Sequence, residues 1–430
     1  MKQSRMLDIL VIGLALFSMF FGAGNIIFPP YLGMESASQW VLGFASYYLA
    51  DIGLAIVAIF AVLKYTGDVN HFMSFVGNIP GKIMLSAIIL CIGPFIAVPR
   101  TGATTYEMFV VPVFGNISPV VPVFVFFAVI ALLSIRPSSV VDILGKFLTP
   151  ALFLGLIFLI IKGIITPVGT IVDTFKVESV VQQGISAGYQ TMDSLAAVVF
   201  GMIIVNTVKN KGYTQEQEQY KIAMYSSFLA AAGLLLVYGG LTYLGATATS
   251  NMQGRLLRTE LILYITRELL GKFGVLLLGI VVTLACITTA VALISASAEY
   301  FCNLSHGKLR YSFLVVFFCI FSALFATLGT DTIVSIAAPI LGLLYPGMLA
   351  LIACSFFTKR LKNTLVIRFA VFGALLTSLC ELLYTKGFPF SFVTKLPLAA
   401  PGFGWIVPSV LFGCVGAMIS FLSAKKTAGR

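Results

Sequence analysis

Apolar residues come in long runs separated by short polar stretches. Windows of about 20 residues, the length that crosses a bilayer as a helix, fall at 7–32, 38–63, 83–111, 117–135, 147–166, 187–208, 221–248, 273–301, 311–330, 332–358, 363–385 and 401–424. The pattern predicts an all-α polytopic membrane protein with twelve transmembrane helices, of which 273–301 and 332–358 are long enough to tilt or kink. Inside the first run the pattern fails. Phe20-Phe21-Gly22-Ala23-Gly24-Asn25 puts two glycines and an amide where the helix should be continuous, at about 1 kcal/mol per glycine. In hydrocarbon, peptide groups leave a helix only where they line a cavity or meet a ligand. A break here ends one half-helix near Phe21 with carbonyls and a negative dipole end, and starts the other near Asn25 with N–H groups and a positive end. Such a break can hold a cation on one side and a carboxylate on the other. Gly22-Ala23-Gly24 also suits a close helix packing face, and locally the two readings stand level.

Other polar groups interrupt later runs. Asp51 lies in the second without a basic neighbour, either a functional group or one that bonds helix ends in the bundle. The third carries Gly93-Pro94, Pro99-Arg100 and Glu107, so it should be kinked. Arg100 and Glu107 lie two turns apart on one face, too far to pair directly, and each needs a partner elsewhere. A polar run from Pro167 to Ser186, with Asp173, Lys176 and Glu178, reads as a loop. The sixth run opens on Gly188-Tyr189-Gln190-Thr191-Met192-Asp193, a candidate second interruption; a helix starting near Met192 with Thr191 or Asp193 in its first turn is the other reading. Ser250 to Lys272 mixes Arg255, Arg258, Glu260, Arg267 and Glu268 with leucines, as an amphipathic surface helix does. Thr288 and Thr289 follow Ala285 in the eighth run, where threonine hydroxyls ordinarily bond back to their own helix. Pro339 and Pro346 should bend the tenth, and Glu381 is a lone acid in the eleventh.

Composition removes whole classes. A chain of 430 residues with 59% hydrophobic, 10% charged and a mean hydropathy of +1.03 is not a water-soluble globule. With Lys2 and Arg5 ahead of it, the first run looks like a secretory signal, but eleven further spans favour a retained helix. Placing both termini in the cytoplasm puts Lys2, Arg5, Lys64, Lys82, Arg136, Lys146, Lys209, Lys211, Lys221, Lys308, Arg310, Lys359, Arg360, Lys362, Arg368, Lys425, Lys426 and Arg430 inside. Lys162, Lys176, Arg255, Arg258, Arg267, Lys272, Lys386 and Lys395 then lie outside. That asymmetry accounts for most of the net charge of +11 and leaves no call for a nucleic-acid partner. The seven cysteines fall in the apolar runs, Cys302 one residue past the end of the eighth, with no C-x-x-C spacing, which suits packing rather than a disulfide set or metal site. His71 and His306 are the only histidines, and there is no H-E-x-x-H, G-x-S-x-G, phosphate loop or acidic cluster. No channel filter is evident either. An enzyme and a channel are therefore disfavoured.

FFGAGNIIFPP at Phe20–Pro30, GPFIAVPRT at Gly93–Thr101 and GYQTMD at Gly188–Asp193, in that order, resemble the bacterial branched-chain amino acid:cation symporters (the LIVCS family, BrnQ-type carriers). The resemblance covers most of the chain. It implies the LeuT-like architecture, with inverted repeats and discontinuous helices at the substrate site. Residues 7–166 would form the first five-helix repeat, 187–358 the second, inverted one, and 363–424 two additional C-terminal helices. The halves share no visible sequence identity, so this symmetry belongs to the resemblance alone.

The same resemblance implies a site. Phe20, Gly22, Ala23, Gly24 and Asn25 would meet the substrate, with the amides of Ala23 and Gly24 on its carboxylate. Tyr189, Gln190, Thr191 and Asp193 would contribute from the sixth helix. Carbonyls of Ser18, Phe21 and Ala285 with the hydroxyls of Thr288 and Thr289 would hold one sodium ion, an uncharged hard-oxygen set suited to a cation that must bind and leave. Asn25 matches a side-chain oxygen donor to a second sodium in two-ion carriers, but a full second set is absent. Arg100 and Glu107 are gating or structural candidates, and Asp193 a partner of the amine or part of a proton route. The expected function is sodium-driven import of leucine, isoleucine and valine across the bacterial inner membrane, with no cofactor besides the coupling ion. Proton coupling, or another small neutral amino acid or a nucleobase on the same scaffold, are the alternatives. The oligomeric state is left open.

Overall fold

The computed structural model describes residues 2–65, 67–135, 139–172, 177–251, 256–358 and 364–428. Of the charged residues named above, Arg136, Asp173, Lys176, Arg255, Lys359, Arg360, Lys362 and Arg430 lie outside them.

The described residues are helical, with no strand among them. In chain order the helices are α1 (Lys2–Phe20), α2 (Ala23–Ser36), α3 (Trp40–Tyr48), α4 (Leu54–Leu63), α5 (Val69–Ser74), α6 (Asn78–Leu90), α7 (Ala97–Thr105), α8 (Val111–Phe114) and α9 (Val120–Ile135). There follow α10 (Ser139–Ile165), α11 (Val180–Thr191), α12 (Asp193–Asn210), α13 (Glu216–Thr247), α14 (Arg258–Leu304), α15 (Tyr311–Ala326), α16 (Thr330–Phe356), α17 (Thr364–Thr385) and α18 (Ile406–Ala428). By length and composition, seven continuous helical stretches among the described residues can cross a membrane, and four shorter apolar helices accompany them. Three π-helical turns, Leu49–Gly53, Cys91–Phe95 and Tyr106–Val110, interrupt the second and third apolar runs at Asp51, Gly93-Pro94 and Glu107. Such π turns are rare and occur mostly as single turns inside α-helices.

The expected amphipathic helix and the eighth run are joined in α14, whose backbone turns sharply at Gly271 with φ 67°. Only glycine takes that conformation readily. The kink expected in the third run is at Gly93, with φ −99° and ψ −124° ahead of Pro94. Freed carbonyls there are met from neighbouring helices: Ser322 donates to Pro94 O at 3.0 Å. Pro339 and Pro346 lie within a single continuous helix, α16.

The chain forms two compact units. The first comprises Met1–Ile52, Ile89–Met192 and Ile222–Ala337. In it α14 packs against α2, α7, α9, α10 and α15, while α11 packs against α2 and α3. Backbones approach closely where glycine allows: a Cβ at Gly33 would overlap the Thr242 carbonyl, and one at Gly245 the Pro30 carbonyl, so α2 and α13 touch main chain to main chain. The second unit comprises Gly53–Ile88, Asp193–Lys221 and Ala338–Arg430. There α4 packs on α12 and α17 pairs with α18, with Ser409 donating to Ala370 O at 2.9 Å. Lys64 and Tyr65 cap the end of α16, each donating to Ser355 O at 2.8 Å.

Candidate functional site

The helix does break inside the first apolar run. Phe21 still bonds Phe17 O at 2.8 Å, but Gly22 N–H turns back to Phe20 O at 2.9 Å, and Gly22 is extended at φ −107°, ψ −173°. The second half-helix opens at Ala23, two residues before the expected Asn25. Its first N–H groups, Ala23 and Gly24, have no turn of helix ahead of them to bond. Phe20, Phe21, Ala23, Gly24 and Asn25 are buried and Ser18 is half-buried. The Asn25 amide donates to Tyr238 Oη of α13 at 2.5 Å, and Tyr238 stacks edge-on against Tyr47. Asn25 thus ties the start of α2 to α13, an anchoring contact that sequence spacing does not reveal.

The second interruption is also present. The GYQT residues are helical in α11, which ends at Thr191; Met192 takes the left-handed conformation at φ 68°, ψ 12°, and α12 starts at Asp193. One helix therefore ends before Met192 and another begins after it, so the chain is interrupted there and is not a single helix that starts at Met192. Asp193 is buried and belongs to the second unit. Tyr189, Gln190 and Thr191 belong to the first, where glycines let α11 sit against α3: a Cβ at Gly188 would lie 2.9 Å from Tyr47 O and 3.1 Å from Asp51 N. Asp51, fully buried in its π turn, accepts from the Thr191 hydroxyl at 2.7 Å.

Arg100 of α7 joins the two interruptions. Its Nη1 donates to Gln190 O at 2.6 Å and Nη2 reaches Thr191 O at 3.5 Å, at the negative end of α11. Its guanidinium also stands over Gly24, where a Cβ would be 2.6 Å from Nη2, and 5.5 Å from the Phe28 ring centre. Arg100 and Glu107, two turns apart, have separate partners, as their spacing requires. Glu107 accepts from the Thr259 hydroxyl and from Thr330 N–H, both at 2.8 Å, so one carboxylate satisfies the first turns of α14 and α16. Beside it Arg258 pairs with Asp331 and lies 4.6 Å from the Tyr31 ring centre and 5.8 Å from that of Phe28. Phe28 therefore has two guanidinium groups within 6 Å of its ring centre. Asp331 carried no sequence signal beyond being an acid near a helix start.

The remaining residues are on α14. A cavity of about 10 Å³, room for one water-sized group, is lined by Phe21, Gly22, Ala23, Ile26, Leu152, Val282, Ala285 and Cys286. A Cβ at Gly22 would lie 3.9 Å from Thr289 Cγ2, so the first break faces the Ala285-x-x-Thr288-Thr289 segment directly. The Thr288 hydroxyl donates to Ala285 O at 2.9 Å, the local bond expected of a membrane threonine. Both oxygens keep lone pairs. Among the described residues no three His, Cys, Asp or Glu side chains converge.

In fold the chain is similar to Mhp1, a nucleobase-cation-symport-1 family transporter, in its closed conformation with bromovinylhydantoin bound: TM-score 0.66, 11% identity, covering 96% of this chain and 92% of that one. It is also similar to MhsT in complex with L-phenylalanine, with TM-score 0.57, 16% identity and coverage of 96% and 98%. These likenesses and the broken helices define the class of fold: an all-helical, LeuT-like architecture with several helices able to cross a membrane. In sequence the chain is 33% identical over 428 residues to the branched-chain amino acid permease BraB of Bacillus subtilis (strain 168), covering 96% of this chain and 95% of that protein. It is 30% identical over 420 residues to the branched-chain amino acid permease BrnQ of Escherichia coli (strain K12), at 95% and 94% coverage. Residues 5–423 match the family described as branched-chain amino acid transport protein, and the chain belongs to that family. It is a transporter and not an enzyme.

Proposed function

We propose that this protein is a secondary active symporter that imports leucine, isoleucine and valine coupled to sodium, with both termini in the cytoplasm of a bacterial cell and the chain in its inner membrane. Twelve spans, an inverted pair of five-helix repeats at 7–166 and 187–358, and two further helices at 363–424 complete the reading. The observation that carries it is the break at Phe21-Gly22, which directs a helix N-terminus and a small cavity towards the Ala285–Thr289 segment. The substrate carboxylate caps the amides of Ala23 and Gly24, its amine meets carbonyls at the end of α11, and its side chain enters the apolar surface around Phe20 and Tyr189. A sodium ion on the carbonyls of Ser18, Phe21 and Ala285 and the hydroxyls of Thr288 and Thr289 ties α1 to α14. Coupling follows if that tie is made in only one of the two access states, since only a differential affinity shifts the equilibrium.

One observation favours proton coupling instead: Asp51 is a fully buried carboxyl hydrogen-bonded to Thr191 at the second interruption, a group able to carry a proton across the cycle. Proteoliposomes separate the readings. Labelled leucine uptake should be competed by excess isoleucine and valine and should collapse when choline replaces sodium. Uptake that ignores isoleucine and valine removes the branched-chain reading. Uptake indifferent to choline but abolished by an uncoupler replaces sodium by protons.

A further inference from the structure

Side chains on a helix lean back towards its N-terminus, so residue i covers the face of residue i−4. In α2 that puts Phe28 over Gly24. Because Gly24 has no side chain, the ring settles against its main chain: a Cβ there would lie 3.3 Å from Phe28 Cε2. The ring is 3% exposed and lies along the first turn of α2, whose opening amides, Ala23 and Gly24, follow directly on the break. Two cations meet it. The guanidinium carbon of Arg100 is 5.5 Å from the ring centre and that of Arg258 is 5.8 Å, both within the range of cation–π attraction. Each arginine also holds a second element. Arg100 donates to Gln190 O and Thr191 O at the end of α11. Arg258 pairs with Asp331 in the first turn of α16, and its main-chain N–H donates to the same carboxylate at 3.2 Å. A guanidinium donates in its own plane and meets aromatic rings through its face, so the ring contacts add to these bonds and do not replace them. Phe28 is therefore linked through one arginine to the end of α11 and through the other to the junction of α14 and α16, while it rests on the turn that opens α2.

We propose that Phe28 is a positioning residue for the substrate: its ring, held by the two guanidinium groups, fixes the first turn of α2 in the geometry that caps the substrate's carboxylate, and carries the state of the Arg258–Asp331 pair to that turn. This rests on the reading of the protein as an amino-acid carrier and adds a residue that sets affinity through the main chain of Gly24. The requirement is electrostatic. Cation–π attraction depends on the negative face of the ring, which ring fluorines weaken with little change of shape, whereas an apolar group that only packs on Gly24 has no such dependence. By linkage, a ring contact that favours leucine binding is favoured by leucine in return.

The experiment uses the full-length protein in nanodiscs, with phenylalanine carrying one, two or three ring fluorines incorporated at position 28, and reads equilibrium binding of labelled leucine at constant sodium. Leucine affinity should fall stepwise along the series, by about tenfold at three fluorines. A second arm replaces the ion pair by R258Q/D331N, which keeps a hydrogen-bonded pair between α14 and α16 but removes the cation beside the ring. It should lower leucine affinity about fivefold with the natural ring and less than twofold with the trifluorinated one, because the contact that carries the change is already weak there. Where R258Q/D331N does not yield monodisperse protein, the fluorine series decides alone. The proposal is overturned if leucine affinity is the same at every fluorine number, the signature of a ring that only fills space. It is equally overturned if R258Q/D331N changes leucine affinity by the same factor with either ring, which would make the two places independent. Wild-type protein that binds none of leucine, isoleucine and valine removes the transport reading itself, and this proposal with it.

Discussion

Gly22 and Gly24 are two residues apart and have opposite tolerances. Gly22 is extended, a conformation any residue adopts, and an added Cβ would meet only Asn25 Oδ1 and Thr289 Cγ2, both at 3.9 Å. At Gly24 the same methyl would collide with Arg100. Gly22→Ala should therefore change stability by no more than about 0.5 kcal/mol. Gly24→Ala should cost about 1–3 kcal/mol through overpacking and weaken leucine binding at least tenfold. Thermal unfolding of the purified variants and equilibrium leucine binding test both; equal stability of the two variants would contradict the geometry. The glycines stood out in sequence because they fall where a membrane helix must be continuous. Which of them is sterically required was not legible, because the obstacle, Arg100, comes from a helix more than 70 positions away in the chain.

Helix ends, rather than helix middles, carry the chemistry at the scale of elements. Both predicted interruptions and the expected kink sit at a helix terminus: Phe21-Gly22 between α1 and α2, Met192 between α11 and α12, and Gly93 ahead of α7. They were legible because glycine, proline and polar clusters inside an apolar run are costly unless used. Their partners were not. Nothing in the spacing of Glu107 pairs it with the first turns of α14 and α16, yet it accepts from Thr259 and Thr330 N–H. Glu107→Leu, of similar size but without polar atoms, removes both acceptors and leaves the Thr259 hydroxyl and Thr330 N–H without them. It should destabilise by about 1–3 kcal/mol, read as a lower thermal midpoint; a midpoint equal to wild type would show that these two bonds do not hold the ends of α14 and α16 together. Likewise Asn25 reads as a site residue from its place in the motif, and its long-range bond to Tyr238 emerges only in three dimensions.

For the molecule as a whole, length and hydropathy dictated most of the architecture. The helix bounds follow the apolar windows to within several residues at most ends, because bilayer thickness sets both, and large side chains such as Leu132, Phe158 and Phe421 remain exposed as a lipid-facing surface requires. Coupling is a different kind of property: it is a free energy shared by two ligands, and no single contact displays it. The most direct test of the account is therefore leucine binding to the purified protein across a sodium titration at constant ionic strength, with choline as the balancing ion. Sodium should raise leucine affinity at least tenfold, about 1.4 kcal/mol of coupling, with a Hill slope near one. Leucine should raise sodium affinity by the same factor, and Thr289→Ala should move the curve to higher sodium. Leucine affinity that stays constant from choline to full sodium would contradict the proposed sodium site at the broken first helix.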